Sequence, residues 1–370
     1  MATFRKRGPS QWQVQVRRKG WPLQTKTFNT QAEAKTWATM IEREMDAGVF
    51  ASRNEAESTS FSKALETYAS EVTSKKRSSA SELSRIQAMQ RHPLALRSLA
   101  SIRGADLASY RDERLAEGLA PATVRRELAL ISHVFTIARK EWRMESLNNP
   151  VELIRQPSVD DARDRRILSA DVWTFQSGQL ACEHLDELEM ICRHSRSTEL
   201  PQIVRFAVET GMRRGEISGL LRANVDLKKR TALLPMTKNG SSRGVPLSSR
   251  AAAIVEGQPT LEGGRVFRSQ PDTITKAFLD ALVDARNAYE EGIELHLKSE
   301  GLKPDEIAEQ IARDPFLVDL RFHDLRHEAT SRLAEIFPLH ELTKITGHQD
   351  TRMLMRYYHP RAEDLAKKLS

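Results

Sequence analysis

The sequence predicts a mainly α protein with small β elements (α+β). A small N-terminal β-β-α unit, a helical domain and a mostly helical C-terminal domain with a β-hairpin follow one another along it. Three observations carry this reading. Two alternating segments and a capped helix fill residues 1–50. Val124, Leu128, Ile131, Phe135 and Ala138 repeat at i, +4, +7, +11 and +14, the spacing of one helix face. Asn239-Gly240, a strong short-range hairpin signal, separates 231–237 from 243–247.

Trp12 to Arg17 alternates polar and apolar, as a half-buried strand does, and Gln24 to Phe28 reads as a second strand after Gly20 and Pro22. Thr30 and Glu33 make a capping box for a helix carrying Ala34, Trp37, Ile41 and Met45, with Gly48 past its end. Residues 51–60 are small and polar and read as a linker. Residues 61–150 form the helical domain. Phe61, Leu65, Tyr68 and Val72 share one face, 107–115 gives a short second pattern, and Pro121 opens the long helix. Asn148 to Arg166 contains Pro150, Pro157 and the run D-D-A-R-D-R-R, and residues 151–166 read as a second linker before the domain 167–370.

The chain of 370 residues has 57 Lys+Arg against 50 Asp+Glu, a net charge of +7, and 39% apolar residues. That is enough apolar material for packed cores, which excludes wholesale disorder. No apolar run reaches the roughly 18 residues of a membrane span, and the charged N-terminus lacks a signal-peptide apolar stretch. Two cysteines, Cys182 and Cys192, cannot make a disulfide framework. A cytoplasmic protein with no membrane partner is expected. The basic balance permits a polyanionic partner.

Four stretches bear chemistry: Glu209 to Ile217, Thr237 to Gly240 with Lys238 at the hairpin tip, His323 to His327, and Gly347-His348 followed by Tyr357, Tyr358 and His359. Arg213 and Arg326 are permanently charged forks suited to two phosphate oxygens. His323 and Arg326, like Arg213 and Glu216, are three apart and share a helix face. Tyr357 offers a phenol that needs a base or surrounding cations to attack at neutral pH. Cations, imidazoles and a tyrosine without a carboxylate cluster suit phosphoryl transfer with no metal or other cofactor. Singly, each has a plainer reading: Arg213 as a surface ion pair, His323 and Tyr357 as core residues.

Together these stretches resemble the signature of the tyrosine recombinase, or phage integrase, family. Thr210 to Glu216 matches its T-G-x-R-x-x-E box, and Lys238 sits where the family has a lysine on a hairpin turn. His323 to Arg326 matches H-x-x-R, and Gly347-His348 matches the G-H box. Tyr357 follows His348 by nine residues and opens a Y-x-H triplet. Within the family, 110–117, 149–153 and 323–329 are similar to shufflon-type DNA invertases, whereas the N-terminal unit is more typical of integrases.

The resemblance implies a site-specific recombinase that cuts and rejoins duplex DNA through a 3′-phosphotyrosyl intermediate. It implies Tyr357 as nucleophile, Arg213, Arg326 and His348 on the phosphate oxygens, and His323 assisting removal of the phenolic proton. Lys238 would protonate the leaving oxygen and Glu216 would orient Arg213. It implies an arm-type DNA-binding unit at 1–50, a core-binding domain at 61–150 and a catalytic domain at 167–370. Arg5, Lys6, Arg7, Arg17, Arg18 and Lys19 are then expected at arm sites, and Arg125 and Arg126 on groove or backbone. The partners implied are double-stranded DNA, a homotetramer on paired sites, and accessory DNA-bending proteins. Alternatives with the same residues are a type IB topoisomerase and a non-catalytic DNA-binding regulator.

Cys182-Glu183-His184 and Cys192-Arg193-His194 read as helical residues whose spacing of two points side chains apart, so no metal site is expected there. Segments 171–198 and 285–315 are longer than the family pattern and have no role in this reading.

Overall fold

In a computed structural model, the described residues are 2–48, 50, 53–76, 78–159, 163, 165–176, 179–235, 242–348 and 350–358. The chain divides into two compact units, 1–162 and 163–370.

The first unit holds two cores. Strands β1 (Ala2–Gly8), β2 (Gln11–Val16) and β3 (Gln24–Phe28) form an antiparallel sheet in that order. Helix α1 (Gln31–Asp46) covers one face and buries Ala34, Ala38, Ile41 and Met45 against Val14 and Val16. Its capping box is formed: the Thr30 hydroxyl accepts from the Glu33 N–H at 3.2 Å while the Glu33 carboxylate accepts from the Thr30 N–H at 3.1 Å. The β-β-α expectation is thus corrected to β-β-β-α. Ala2 and Phe4 face the core in β1, and the charge of Arg5, Lys6 and Arg7 hides that alternation in the sequence. The expected linker 51–60 contains a one-turn helix, α2 (Asn54–Ser58), whose Ala56 is buried in the second core. That core is built by α3 (Phe61–Glu71), α4 (Ser79–Gln90), α5 (Gly104–Ala116) and α6 (Pro121–Glu141). All five apolar residues of the α6 repeat are buried, and Arg125 and Arg126 lie on its exposed side.

The second unit opens with a hairpin, β4 (Ser169–Gln176) and β5 (Gln179–Asp186), then α7 (Glu187–Arg193), α8 (Leu200–Thr210) and α9 (Arg214–Ser218). A three-stranded antiparallel sheet follows: β6 (Val225–Asp226), β7 (Thr231–Leu234) and β8 (Arg243–Pro246). The helices α10 (Ser249–Gly257), α11 (Pro271–Ser299), α12 (Pro304–Arg313), α13 (Asp324–Ile336), α14 (Leu339–Thr346) and α15 (Arg352–Met355) complete it. Helix α8 buries Leu200, Ile203, Val204, Phe206, Ala207 and Val208 in the core, keeps Gln202, Arg205 and Glu209 on its polar side, and is packed by α7, α10 and α13. No helix among the described residues is long and apolar enough to cross a membrane.

Two readings change here. Residues 182–184 lie in a strand, where a spacing of two puts side chains on the same face rather than apart. His184 meets Asp171 across the hairpin at 2.8 Å, and Cys182 is paired with Trp173. Among the described residues no group of three or more His, Cys, Asp or Glu could hold a metal ion. The charge run at the end of the expected 151–166 linker is also not free chain. Arg163, Arg165 and Arg166 pair with Asp324, Glu187 and Glu328, all buried. The two segments without a role turn out to pack on each other: β4 lies against α11, with Trp173 and His296 stacked at 3.7 Å.

Candidate active site

The site is assembled on the last turn of α14. Three successive carbonyls there each accept a guanidinium from a different part of the chain. Arg243 Nε donates to Ile345 O at 2.9 Å, Arg326 Nη2 to Thr346 O at 2.7 Å, and Arg213 Nη2 to Gly347 O at 3.5 Å. A helix C-terminus carries partial negative charge and unpaired carbonyls, so it suits three cations.

Local sequence places each arginine. Helix α8 stops at Thr210, whose hydroxyl turns back to Phe206 O at 2.7 Å, and Gly211 takes the left-handed φ of +61°. That turn puts Arg213 at the N-cap of α9, where its N–H donates to Glu216 Oε2 at 2.8 Å. The Gly211 carbonyl also accepts from Arg326 Nη1. Arg326 lies in the first turn of α13 and is only 5% exposed. Glu216 binds Arg213 Nη1 at 3.0 Å and takes a two-pronged contact from Arg243, at 2.9 and 2.7 Å. Gly347 has φ +67°, and a Cβ there would lie 2.9 Å from Arg243 Nη1. The glycine before His348 is therefore required twice over.

Imidazoles surround the cations. His348 Nδ1 meets the Thr346 hydroxyl at 2.7 Å. Burial, then Arg326 and Arg213, push His348 down to about 4. His323, exposed at the head of α13, is lowered by the protein around it and by Arg326. His327 is pushed down to about 4 by burial, then by His323 and Arg356. Burial and Arg213 bring Arg326 to about 9, still charged at neutral pH. Glu216 is opposed by burial but held below the ordinary carboxylate range by Arg243 and the Arg213 N–H. The result is a net cationic wall, three guanidinia against the single Glu216 carboxylate with neutral imidazoles beside them, suited to an anion.

Tyr357 is half-buried just after α15, and its hydroxyl contacts His327 Nδ1. His323 stands one ring further off, 5.0 Å from His327 centre to centre. Tyr358 turns elsewhere: its hydroxyl donates to Phe337 O at 2.5 Å. Thus Arg213, Glu216, His323, Arg326, His348 and Tyr357 gather around α13 and α14. Lys238 and His359 lie outside the described residues. Sequence reasoning missed Arg243 and Arg356, and it placed His327 in a chemistry-bearing stretch without giving it a role. His327 was visible as the second histidine of H-D-L-R-H, whereas nothing local marks Arg243 or Arg356.

The residues read as DNA contacts fall in the first unit. Arg5 and Arg7 lie in β1 among exposed positions, Arg7 donating to Gln13 at 2.9 and 2.8 Å. Lys6 stands over Trp12, and Arg17 and Lys19 are exposed. Arg18 is half-buried and pairs with Asp46 at 2.6 Å.

A helical fold that brings a tyrosine to a cluster of buried arginines and neutral imidazoles defines a class of enzyme that moves phosphoryl groups onto a phenol. The phage integrase family profile matches residues 180–364. The shufflon-specific DNA recombinase of Escherichia coli is 38% identical over 84% of this chain and 71% of its own length. An integrase/recombinase assignment from Haemophilus influenzae is 33% identical over 99% of this chain and 89% of that protein. In fold, the chain is similar to a lambda integrase solved as a tetramer bound to a Holliday junction. The TM-score is 0.57 at 17% identity, over 94% of this chain and 96% of that one. The chain belongs to the phage integrase family of tyrosine recombinases. Its activity is site-specific DNA recombination.

Proposed function

We propose that the second unit carries the strand-exchange chemistry, with Tyr357 attacking the scissile phosphate of duplex DNA. The attack forms a 3′-phosphotyrosyl bond and frees a 5′-hydroxyl. Arg213, Arg326 and His348 hold the non-bridging oxygens. His323 assists removal of the phenolic proton, and Lys238 protonates the leaving oxygen. Glu216 orients Arg213. Losing one such charge-stabilising donor costs roughly 3–4 kcal/mol of barrier. The bond energy stays in the phosphotyrosine, so a 5′-hydroxyl from a partner duplex reverses the step.

The observation that supports this most is the seating of Arg326 and Arg213 on adjacent carbonyls, with His348 the next residue. In the rest of the proposal, residues 1–50 bind arm-type sites through Arg5, Lys6, Arg7, Arg17, Arg18 and Lys19. Residues 61–150 bind the core site with Arg125 and Arg126, and 167–370 is the catalytic domain. Two duplexes imply four protomers, the state in which the lambda integrase similar in fold was solved.

A nicked suicide duplex tests the reading. Tyr357→Phe is expected to abolish the covalent protein–DNA adduct while DNA affinity, followed by anisotropy, stays within about twofold. Adduct that survives in Tyr357→Phe and vanishes in Tyr358→Phe would move the nucleophile by one residue.

A further inference from the structure

The phenol of Tyr357 has two neighbours that the family motifs leave unassigned, His327 and Arg356. Arg356 Nη2 lies 3.2 Å from His327 Nδ1 and 3.4 Å from the Tyr357 hydroxyl, and the guanidinium stands 5.2 Å from the tyrosine ring centre. A guanidinium has donors only. These contacts fit the tautomer with the ring proton on Nε2, in which the Tyr357 O–H donates to Nδ1 and one N–H of Arg356 Nη2 is shared between Nδ1 and the Tyr357 oxygen. The same Nη2 is tied at 2.7 Å to the main-chain carbonyl of Arg163. Arg163 is itself fixed by its side chain, at 2.6 and 2.7 Å to Asp324 and 2.6 Å to Asp319. Asp324 is fully buried and opens α13, the helix that carries Arg326 and His327.

We propose that His327 is the immediate acceptor of the Tyr357 proton, and that Arg356, anchored on the main chain of Arg163, aims the phenol and stabilises the charge that develops on its oxygen. This rests on the reading of Tyr357 as nucleophile. In the step, the tyrosine oxygen bonds to phosphorus as its O–H bond breaks and the proton passes to His327 Nδ1. The P–O5′ bond breaks with its electron pair on the 5′-oxygen, which takes a proton from Lys238. With a pKa of about 4, His327 is free to accept. As a weak base it takes the proton only as the oxygen commits to phosphorus. Transfer must accompany bond formation, when the phenolic oxygen loses its basicity, and the nearby cation eases that moment. His323 reaches the phenol through the ring of His327 and is a positioning residue for it. The charged and titratable groups around the phenol are Arg356 beside it, His327, His323, Asp324 and Arg326 on α13, His348 after α14, and Arg163.

Single-turnover adduct formation on the nicked suicide duplex, run from pH 5 to 9.5 with the full chain, tests both parts. His327→Asn keeps a hydrogen-bond acceptor near the Nδ1 position but cannot take the proton. It is expected to slow adduct formation about 100-fold and to turn a flat profile into one that rises with pH. His327→Gln serves as a second variant should the first fail to bind the duplex. Arg356→Gln is expected to slow the step about 100-fold, and Arg356→Lys to recover to within about tenfold of wild type. Arg163→Lys is expected to slow it less, and the Arg163→Lys/Arg356→Gln pair to be no slower than Arg356→Gln alone. A His327→Asn enzyme within threefold of wild type and flat in pH overturns the acceptor. Multiplying losses in the double variant overturn the anchor. Adduct from Tyr357→Phe would sink the nucleophile reading itself, separately from both.

Discussion

Glu216 stands between two guanidinia. It takes both prongs of Arg243 and one of Arg213, and it also caps α9 through the Arg213 N–H. Arg243 is 9% exposed, so removing the carboxylate strands a buried cation. Breaking a buried pair from one side costs about 3–5 kcal/mol. Glu216→Ala is therefore expected to lower stability by about 3 kcal/mol in urea unfolding and to lower single-turnover cleavage about 100-fold by freeing Arg213. Because the folded pKa of Glu216 is lowered, its contribution is fully present above the ordinary carboxylate range. It is lost as pH falls through the depressed folded value, so wild type and variant should converge in acid. At this scale the sequence was legible where residue type and spacing coincide. Arg213, Arg326, His348 and Tyr357 could be picked out by box. Arg243, His327 and Arg356 act through contacts that cross 27, 30 and 193 positions, and no local pattern encodes those.

Elements show the same division. Helix α6 was readable in full, because 21 residues repeat one apolar face and a proline marks the start. Strand β1 was not, because its alternation is carried by Ala2 and Phe4 alone among three basic residues. Residues 182–185 were read as helix, since Leu185, Leu188 and Ile191 carry the spacing of the real helix α7 back into the strand before it. The β4–β5 hairpin gains its place from α11: at Gly292, a Cβ would fall 1.9 Å from the Trp173 carbonyl oxygen. Alanine would gain about 1 kcal/mol in helix propensity, against roughly 1–3 kcal/mol for overpacking on a main chain that cannot rotate away. Gly292→Ala is thus expected to be net destabilising and to break the Trp173–His296 stack. A red shift in tryptophan emission, alongside a lower urea midpoint, measures it. A midpoint at or above wild type would mean the hairpin yields freely.

The molecule as a whole is two units joined where a dense charge run had been read as linker. Three arginines from that run enter the second unit and meet carboxylates that have little else. Asp324 otherwise accepts from the Arg321 N–H at 2.8 Å, and Glu187 from the N–H groups of Leu168 and Leu317 at 2.9 and 2.6 Å. Glu328 keeps Arg332 at 2.8 Å. Charge runs are ordinarily solvated, so composition alone pointed the other way. The pairs join residues about 20 to 160 positions apart, beyond any sequence window. Replacing all three arginines by methionine in the full chain leaves up to three buried carboxylates short of a counter-charge. At about 3 kcal/mol each, less for Glu328, the loss is of the order of a domain's entire stability of 5–15 kcal/mol. The first unit contributes none of these carboxylates. Hydrogen exchange resolved along the chain should then show lost protection throughout α8, α11 and α13, with α3 and α6 as slow as in wild type. Equal loss in both units would mean they unfold as one, and no loss in either would mean the three ion pairs stabilise nothing.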